Sequence, residues 1–275
     1  MFTAGCANRT LVLTEQVEAR RLASDLRVQF SKAAEASNRA VMADTDEASG
    51  AAAREAGQAA EATARDVEAL DRALRSLGYN DETRLLEQFK PRFAEYRTLD
   101  AEILPLAVEN TNLKAQRLAF GPGREAAASF RQALDGAARH GPAGKCCVGE
   151  LAARATASVL EVQVVQARHI AESDEAAMTR MEAEMAASEA AARRAIDALK
   201  AQLRTAAASE LAAAAAALDR FKSVNAEIVA LSRRNSNVRS LALSLGRKRA
   251  VTAECDEMLH ALDTAVAAHA FTATR

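Results

Sequence analysis

Residues 93–121 read FAEYRTLDAEILPLAVENTNLKAQRLAFG, and residues 218–246 read LDRFKSVNAEIVALSRRNSNVRSLALSLG. The second stretch is a copy of the first displaced by 125 positions: eight of the 29 aligned pairs are identical, among them Glu102/Glu227, Ile103/Ile228, Asn110/Asn235, Asn112/Asn237 and Gly121/Gly246. Most of the rest exchange like for like, as in Tyr96/Phe221, Arg97/Lys222 and Thr111/Ser236. A period this long exceeds the 20 to 50 residues of a solenoid unit and points to duplication of a small domain. The start of each copy repeats as well, MADTDEAS (42–49) against IAESDEAA (170–177), here at a displacement of 128.

The chain has 275 residues, 4 Pro, 11 Gly, no Trp and 4% aromatics, with a hydrophobic fraction of 49% that is largely alanine. Few breakers and small apolar side chains favour long, closely packed helices over a sandwich or barrel. Apolar residues at three- and four-residue steps (Leu22, Leu26, Phe30, Ala34) predict a first helix from Leu11 to about Met42, and residues 47–77 a second. Thr45 or Asp46 suits the cap between them. Gly78 suits the left-handed end of helix two, and a third helix from Asp81 to about Val108 carries the strongest stripe: Leu86, Phe89, Phe93, Tyr96, Leu99, Ile103 and Leu106. Pro105 is expected to weaken its last turn. Asn110-Thr111-Asn112 is read as the end of helix three and the cap of helix four, which is broken at Phe120-Gly121-Pro122-Gly123. Copy two repeats this plan, with Leu245-Gly246-Arg247-Lys248 at the second break.

These readings predict an all-α protein of two tandem antiparallel up-down four-helix bundles with long Ala-rich helices. The expected divisions are an N-terminal tail at 1–10, copy one at 11–140, a linker at 141–148 around Gly141-Pro142-Ala143-Gly144, and copy two at 149–275. An alternative merges helices across the Ala43 to Gly50 turn into longer coiled-coil hairpins.

Charge excludes some function classes. With 36 basic and 37 acidic residues, net −1, no long-range field draws the chain to nucleic acid. No run of about 18 apolar residues predicts a membrane helix within it. Gly5-Cys6 echoes a lipoprotein cleavage site without the apolar segment that should precede it. Cys6, Cys146, Cys147 and Cys255 have no metal or redox spacing. The four His residues do not repeat as Glu-x-x-His pairs, and no phosphate loop or nucleophile motif is present, so no catalytic residue, metal or cofactor is expected. Two places could meet a small polar or anionic ligand. Arg233-Arg234 and Arg247-Lys248-Arg249 flank the start of the last helix, where free N–H groups favour anions, while a solvated basic rim is the simpler account of them. Asn110, Asn112, Asn235 and Asn237 could line a site, or could serve only as caps.

The SNRAVMADTDEA turn, the VEALDRAL end of helix two, FAEYRTLDAEILPLA and ENTNLKAQRLAFG together resemble the four-helix-bundle sensor domain of bacterial methyl-accepting chemotaxis receptors. The resemblance covers residues 11–140 well and 150–270 more weakly. It implies a periplasmic or otherwise extracytoplasmic ligand sensor, not an enzyme, that is homodimeric and passes helix displacements to a signalling domain. Membrane helices would lie outside this chain. By position Arg39 and Arg168 stand where such sensors hold ligand, giving with Asn110, Asn112, Arg233, Arg234, Asn235 and Asn237 the full candidate set. The tandem copies also resemble bimodular sensors with two bundles, in which the connectivity can differ. The competing expectation is a scaffolding helical protein, with a cytoplasmic location as the alternative, that binds partner helices and no small molecule.

Overall fold

The computed structural model describes residues 4–141 and 146–269, with side chains from 13–141 and 147–269. Those residues form helices joined by short turns, without a strand among them. In chain order they are α1 (Ala4–Met42), α2 (Asp46–Leu77), α3 (Asn80–Glu109), α4 (Thr111–Leu118), a π-helical turn (Ala119–Gly123), α5 (Arg124–Ala138), α6 (Cys146–Ala171), α7 (Glu175–Leu203), α8 (Ala208–Arg234), α9 (Ser236–Leu243), a second π-helical turn (Ser244–Lys248) and α10 (Arg249–Ala268). The protein is all-α, as the residue periodicity requires. Helix α1 begins at Ala4, inside the segment expected to be a tail. Of the expected 141–148 linker, residues 142–145 lie outside the described residues and 146–148 open α6.

Local signals act where the residues place them. The Thr45 hydroxyl accepts from the Ala48 N–H at 3.1 Å, and Asp174, one position beyond the counterpart of Thr45, accepts from Ala177 N–H at 2.5 Å, so both copies cap their second helix with a side chain. This cap separates α1 from α2 and rules out the merged hairpin. Gly78 adopts φ 69° and sends its N–H back to Arg75, the left-handed ending that a residue without Cβ adopts at no steric cost. Helix α3 runs through Pro91 and Pro105 to Glu109 without interruption.

The grouping of the helices departs from the sequential one. Residues 1–109 and 239–275 form one compact unit, and residues 110–238 form the other. In unit 1, α1 packs on α2, α2 on α3, α3 on α10, and α10 back on α1. Arg20 near the start of α1 donates to the Ala267 carbonyl, and Ser244 faces Asn38 near its end, so α10 runs antiparallel to α1. In unit 2, α6, α7 and α8 are completed by α4 and α5. Each unit is thus a four-helix bundle whose first three helices come from one copy and whose fourth comes from the other. The tandem division into 11–140 and 149–275 is corrected accordingly.

The reason lies at Asn110 and Asn235. Each is a single residue between two helices, with φ 51° and 53°. The hydrogen-bond ladder resumes immediately, Lys114 N–H to Asn110 carbonyl at 3.0 Å. Reversing two helices takes a loop of about two to five residues. A single residue is shorter than any such loop, and the fourth helix belongs to the other bundle.

Both cores are built from the expected stripes. In unit 1 Phe30 meets Phe89, Phe93 and Tyr96 edge-on with ring centroids 6.0, 6.2 and 5.1 Å apart, surrounded by Leu26, Leu70, Leu74 and Leu86. Such edge-to-face pairs each add about 0.5–1.5 kcal/mol beyond area burial. In unit 2 Phe130, Leu134, Ile196, Leu199, Leu218 and Phe221 occupy the centre.

Candidate functional site

The four asparagines form one polar clasp. Thr111 N–H donates to Ser236 Oγ and Ser236 N–H donates to Thr111 Oγ1, both at 3.0 Å. Asn112 N–H donates to Asn237 Oδ1 and Asn237 N–H to Asn112 Oδ1, both at 3.1 Å. The Asn112 amide also donates to Asn235 Oδ1 at 2.7 Å, and the Asn237 amide to Asn110 Oδ1 at 2.8 Å. Asn112 and Asn237 therefore cap with their side chains, each on the fourth helix of the other copy, whereas the side chains of Asn110 and Asn235 accept from the side-chain amides of Asn237 and Asn112. The Asn112 and Asn235 amides also donate to the Ile170 and Glu172 carbonyls, while the Asn110 amide nitrogen is buried without a partner.

The arginine candidates do not converge. Arg39 is exposed and paired with Glu55 at 2.6 Å. Arg168 and Arg234 are exposed. Arg233 is committed to α7, donating to Glu182 Oε1 at 2.6 Å, Glu175 Oε2 at 2.5 Å and the Thr179 hydroxyl at 2.7 Å. Its hydrogen bond holds the Glu182 carboxyl below the usual carboxylate value, with the contact from His169 adding to the effect against the cost of burial. His169 is fully buried, with Ser232 Oγ 2.8 Å from Nδ1 and Glu182 Oε1 3.0 Å from Nε2. This network ties α6, α7 and α8 together at the place where the sequence suggested an anion site or a solvated basic rim.

Cavities lie elsewhere, one of about 470 Å³ between α5 and α6 and two beside the π-helical turns. A cavity of about 320 Å³ in unit 2 is lined by Gln116, Phe120 and Arg124 from the fourth helix and by Gln166 and Ile170 from α6. A cavity of about 280 Å³ in unit 1 is lined by Leu241, Leu245 and Arg249 from the fourth helix and by Asn38 and Met42 from α1. These residues correspond one to one through the displacements of the duplication: 116/241, 120/245 and 124/249 at 125, and 38/166 and 42/170 at 128. The same pocket occurs twice. A π-turn widens the helical ladder by one residue and is frequent at functional sites. In unit 2 it holds Gly121, Pro122 and Gly123; in unit 1 it holds Gly246 at φ −85°, ψ −119°.

Beneath the two pockets the copies differ. In unit 1, Lys248 is 2% exposed, places Nζ 2.5 Å from Asp100 Oδ1, hydrogen-bonds Ser37 Oγ, and stands 5.2 Å from the centre of the Tyr96 ring. Ser37 donates to the same Asp100 oxygen at 2.7 Å. Burial pulls the Lys248 ammonium below its ordinary value while Asp100 opposes that shift. Burial also pushes the Tyr96 phenol up, with the Asp100 charge next in effect. In unit 2 the counterpart of Lys248 is Gly123 and that of Asp100 is Asn225. There Gln166, reaching from α6, donates to Asn225 Oδ1 at 2.7 Å, and the Asn225 amide donates to Glu189 at 2.8 Å. A buried ion pair in one unit is thus replaced by an amide chain in the other; Asp100 Oδ1 and Asn225 Oδ1 each have a partner, while Asp100 Oδ2 has none.

Apart from Arg249, the lining residues were missed because a pocket between helices one and four depends on which fourth helix is present. The break at Phe120-Gly121-Pro122-Gly123 against Leu245-Gly246-Arg247-Lys248 was their visible signal. Among the described residues no group of three His, Cys, Asp or Glu could hold a metal ion, and no helix is long and apolar enough to cross a membrane. No protein-family model matches the chain, and no curated protein matches it.

Proposed function

We propose that the chain is the ligand-binding sensory module of a chemoreceptor-like transmembrane signalling protein, working outside the cytoplasm as a homodimer. Its role is to convert occupancy by a small molecule into a helix displacement. The observation that carries this reading is the pocket repeated at duplicated positions beside the two π-turns. Each pocket is walled by the first and fourth helices of its unit, so a ligand that binds one spacing of those helices better than another shifts them by its differential affinity. Displacements of about 1–2 Å are what packed helices accommodate.

The test is a thermal-unfolding screen of the purified chain against organic acids, amino acids and amines. A saturable rise in Tm of several degrees with at least one compound is expected, since ligand at about 100 times its Kd adds about 2.7 kcal/mol. A flat response across the panel overturns the reading. It favours the scaffold alternative instead, for which the exposed Phe120, Leu160 and Val164 of unit 2 provide an apolar face.

A further inference from the structure

We infer that the unit 2 cavity takes a small monocarboxylate with a flat apolar body, its carboxylate held at the mouth by Arg124 and Gln163 and its body lying between Phe120 and Ile170. This inference rests on the ligand-binding reading above and deepens it. The cavity wall contains one cation, Arg124, three amides, Gln116, Gln163 and Gln166, and no carboxylate. Arg124 is exposed and makes no ion pair with the described residues, whereas Arg39, Arg233 and Arg247 are each neutralised by a glutamate at 2.5 to 2.6 Å. A guanidinium fork beside amide donors matches a carboxylate in charge and in geometry. Phe120, 68% exposed, and Ile170 supply the apolar surface. A volume of about 320 Å³ is at the small end of ligand sites, which limits the body to about one ring.

The duplication explains why unit 2 and not unit 1 carries this site. The counterparts of Gln116 and Gln163 are Leu241 and Glu35, so unit 1 has lost an amide and gained a negative charge at the equivalent places. Its second cation, Lys248, is already matched by Asp100.

The test is calorimetric titration of the whole chain with benzoate, its neutral analogue benzamide and the cation benzylamine. Benzoate is expected to bind at one site per chain, more tightly than benzamide, with benzylamine showing no binding. Arg124→Gln is expected to weaken benzoate by about tenfold or more. Arg124→Lys should retain part of the affinity, and Arg249→Gln, at the matching position of unit 1, should change nothing. A circular-dichroism melt confirms that each variant is folded. Benzoate affinity that is unchanged in Arg124→Gln, lost in Arg249→Gln, or exceeded by benzylamine overturns the assignment. If amines or amides bind and benzoate does not, the carboxylate class falls while the sensor reading stands. If nothing in the wider panel binds, both fall together.

Discussion

Lys248 is the residue on which the two units differ most in chemistry. Its partner Asp100 is buried, so removing the ammonium leaves a carboxylate without compensation in a low-dielectric core. Lys248→Met is expected to cost about 3–5 kcal/mol by urea unfolding. Pairing it with Asp100→Asn, the residue unit 2 carries, should recover a large part of that loss in a double-mutant cycle. Additive losses would show that the pair is not coupled. Glu182 gives a pH signature of opposite origin. Its folded carboxyl titrates below the ordinary value of 4.5, mainly because Arg233 donates to it. As pH falls the unfolded chain therefore takes up the proton first. The stability this contact supplies is fully present above about pH 4.5 and is lost as pH falls through the lower folded value. Glu182→Gln should accordingly flatten the acid limb of the unfolding midpoint against pH and leave the shape near neutrality unchanged.

At the scale of elements, much of the fold was legible. The cap at Thr45 and the left-handed Gly78 are local interactions of a few neighbouring residues, and the sequence displays them directly. The choice of fourth helix is not local. Helices α5 and α10 bury matching positions, Ala126/Val251, Phe130/Cys255, Leu134/Leu259 and Ala137/Leu262. A duplicated stripe fits either bundle, so hydrophobic pattern alone could not tell which bundle received it. What decides is the one-residue length of the Asn110 and Asn235 breaks, a geometric cue that propensity does not weigh. The candidate asparagines were recognised as caps or ligands, but their reciprocal pairing depends on the exchange and so stayed hidden, as did both pockets. The pairing has a measurable consequence. Asn112→Ala and Asn237→Ala should each cost about 0.5–2 kcal/mol, the range for losing a cap. Because the two side chains cap across one clasp, the double variant should depart from the sum of the singles by about 0.5 kcal/mol or more. Simple additivity would show that each caps independently.

For the whole molecule, neither copy contains a complete bundle. Fragments 1–141 and 142–275, which hold α1 to α5 and α6 to α10, are expected to co-purify as a one-to-one complex when expressed together and to expose apolar surface when expressed apart. Two separately folded, monomeric halves would contradict the exchanged arrangement. The duplication therefore built an interdependent pair, in which Gly123 and Lys248 could diverge beneath equivalent pockets while the clasp between Asn112 and Asn237 was kept in both.

The division of the chain also sets an order in time. Unit 2 is contiguous, residues 110–238, whereas unit 1 waits for a helix that ends at Ala268, thirty residues later. At a synthesis rate of about 5–20 residues per second, the helices α1, α2 and α3 are complete for several seconds before α10 emerges to close over Phe89 and Tyr96. During that interval the larger aromatic core has an open side, and for the last thirty residues of it the inserted bundle is already complete. A fragment ending at residue 238 should thus show slow amide exchange across α6, α7 and α8 and fast exchange across α1, α2 and α3, and equal protection in both sets would refute this order. Translation speed through residues 239–268 then becomes a determinant of how much chain aggregates, independently of the stability of the finished protein.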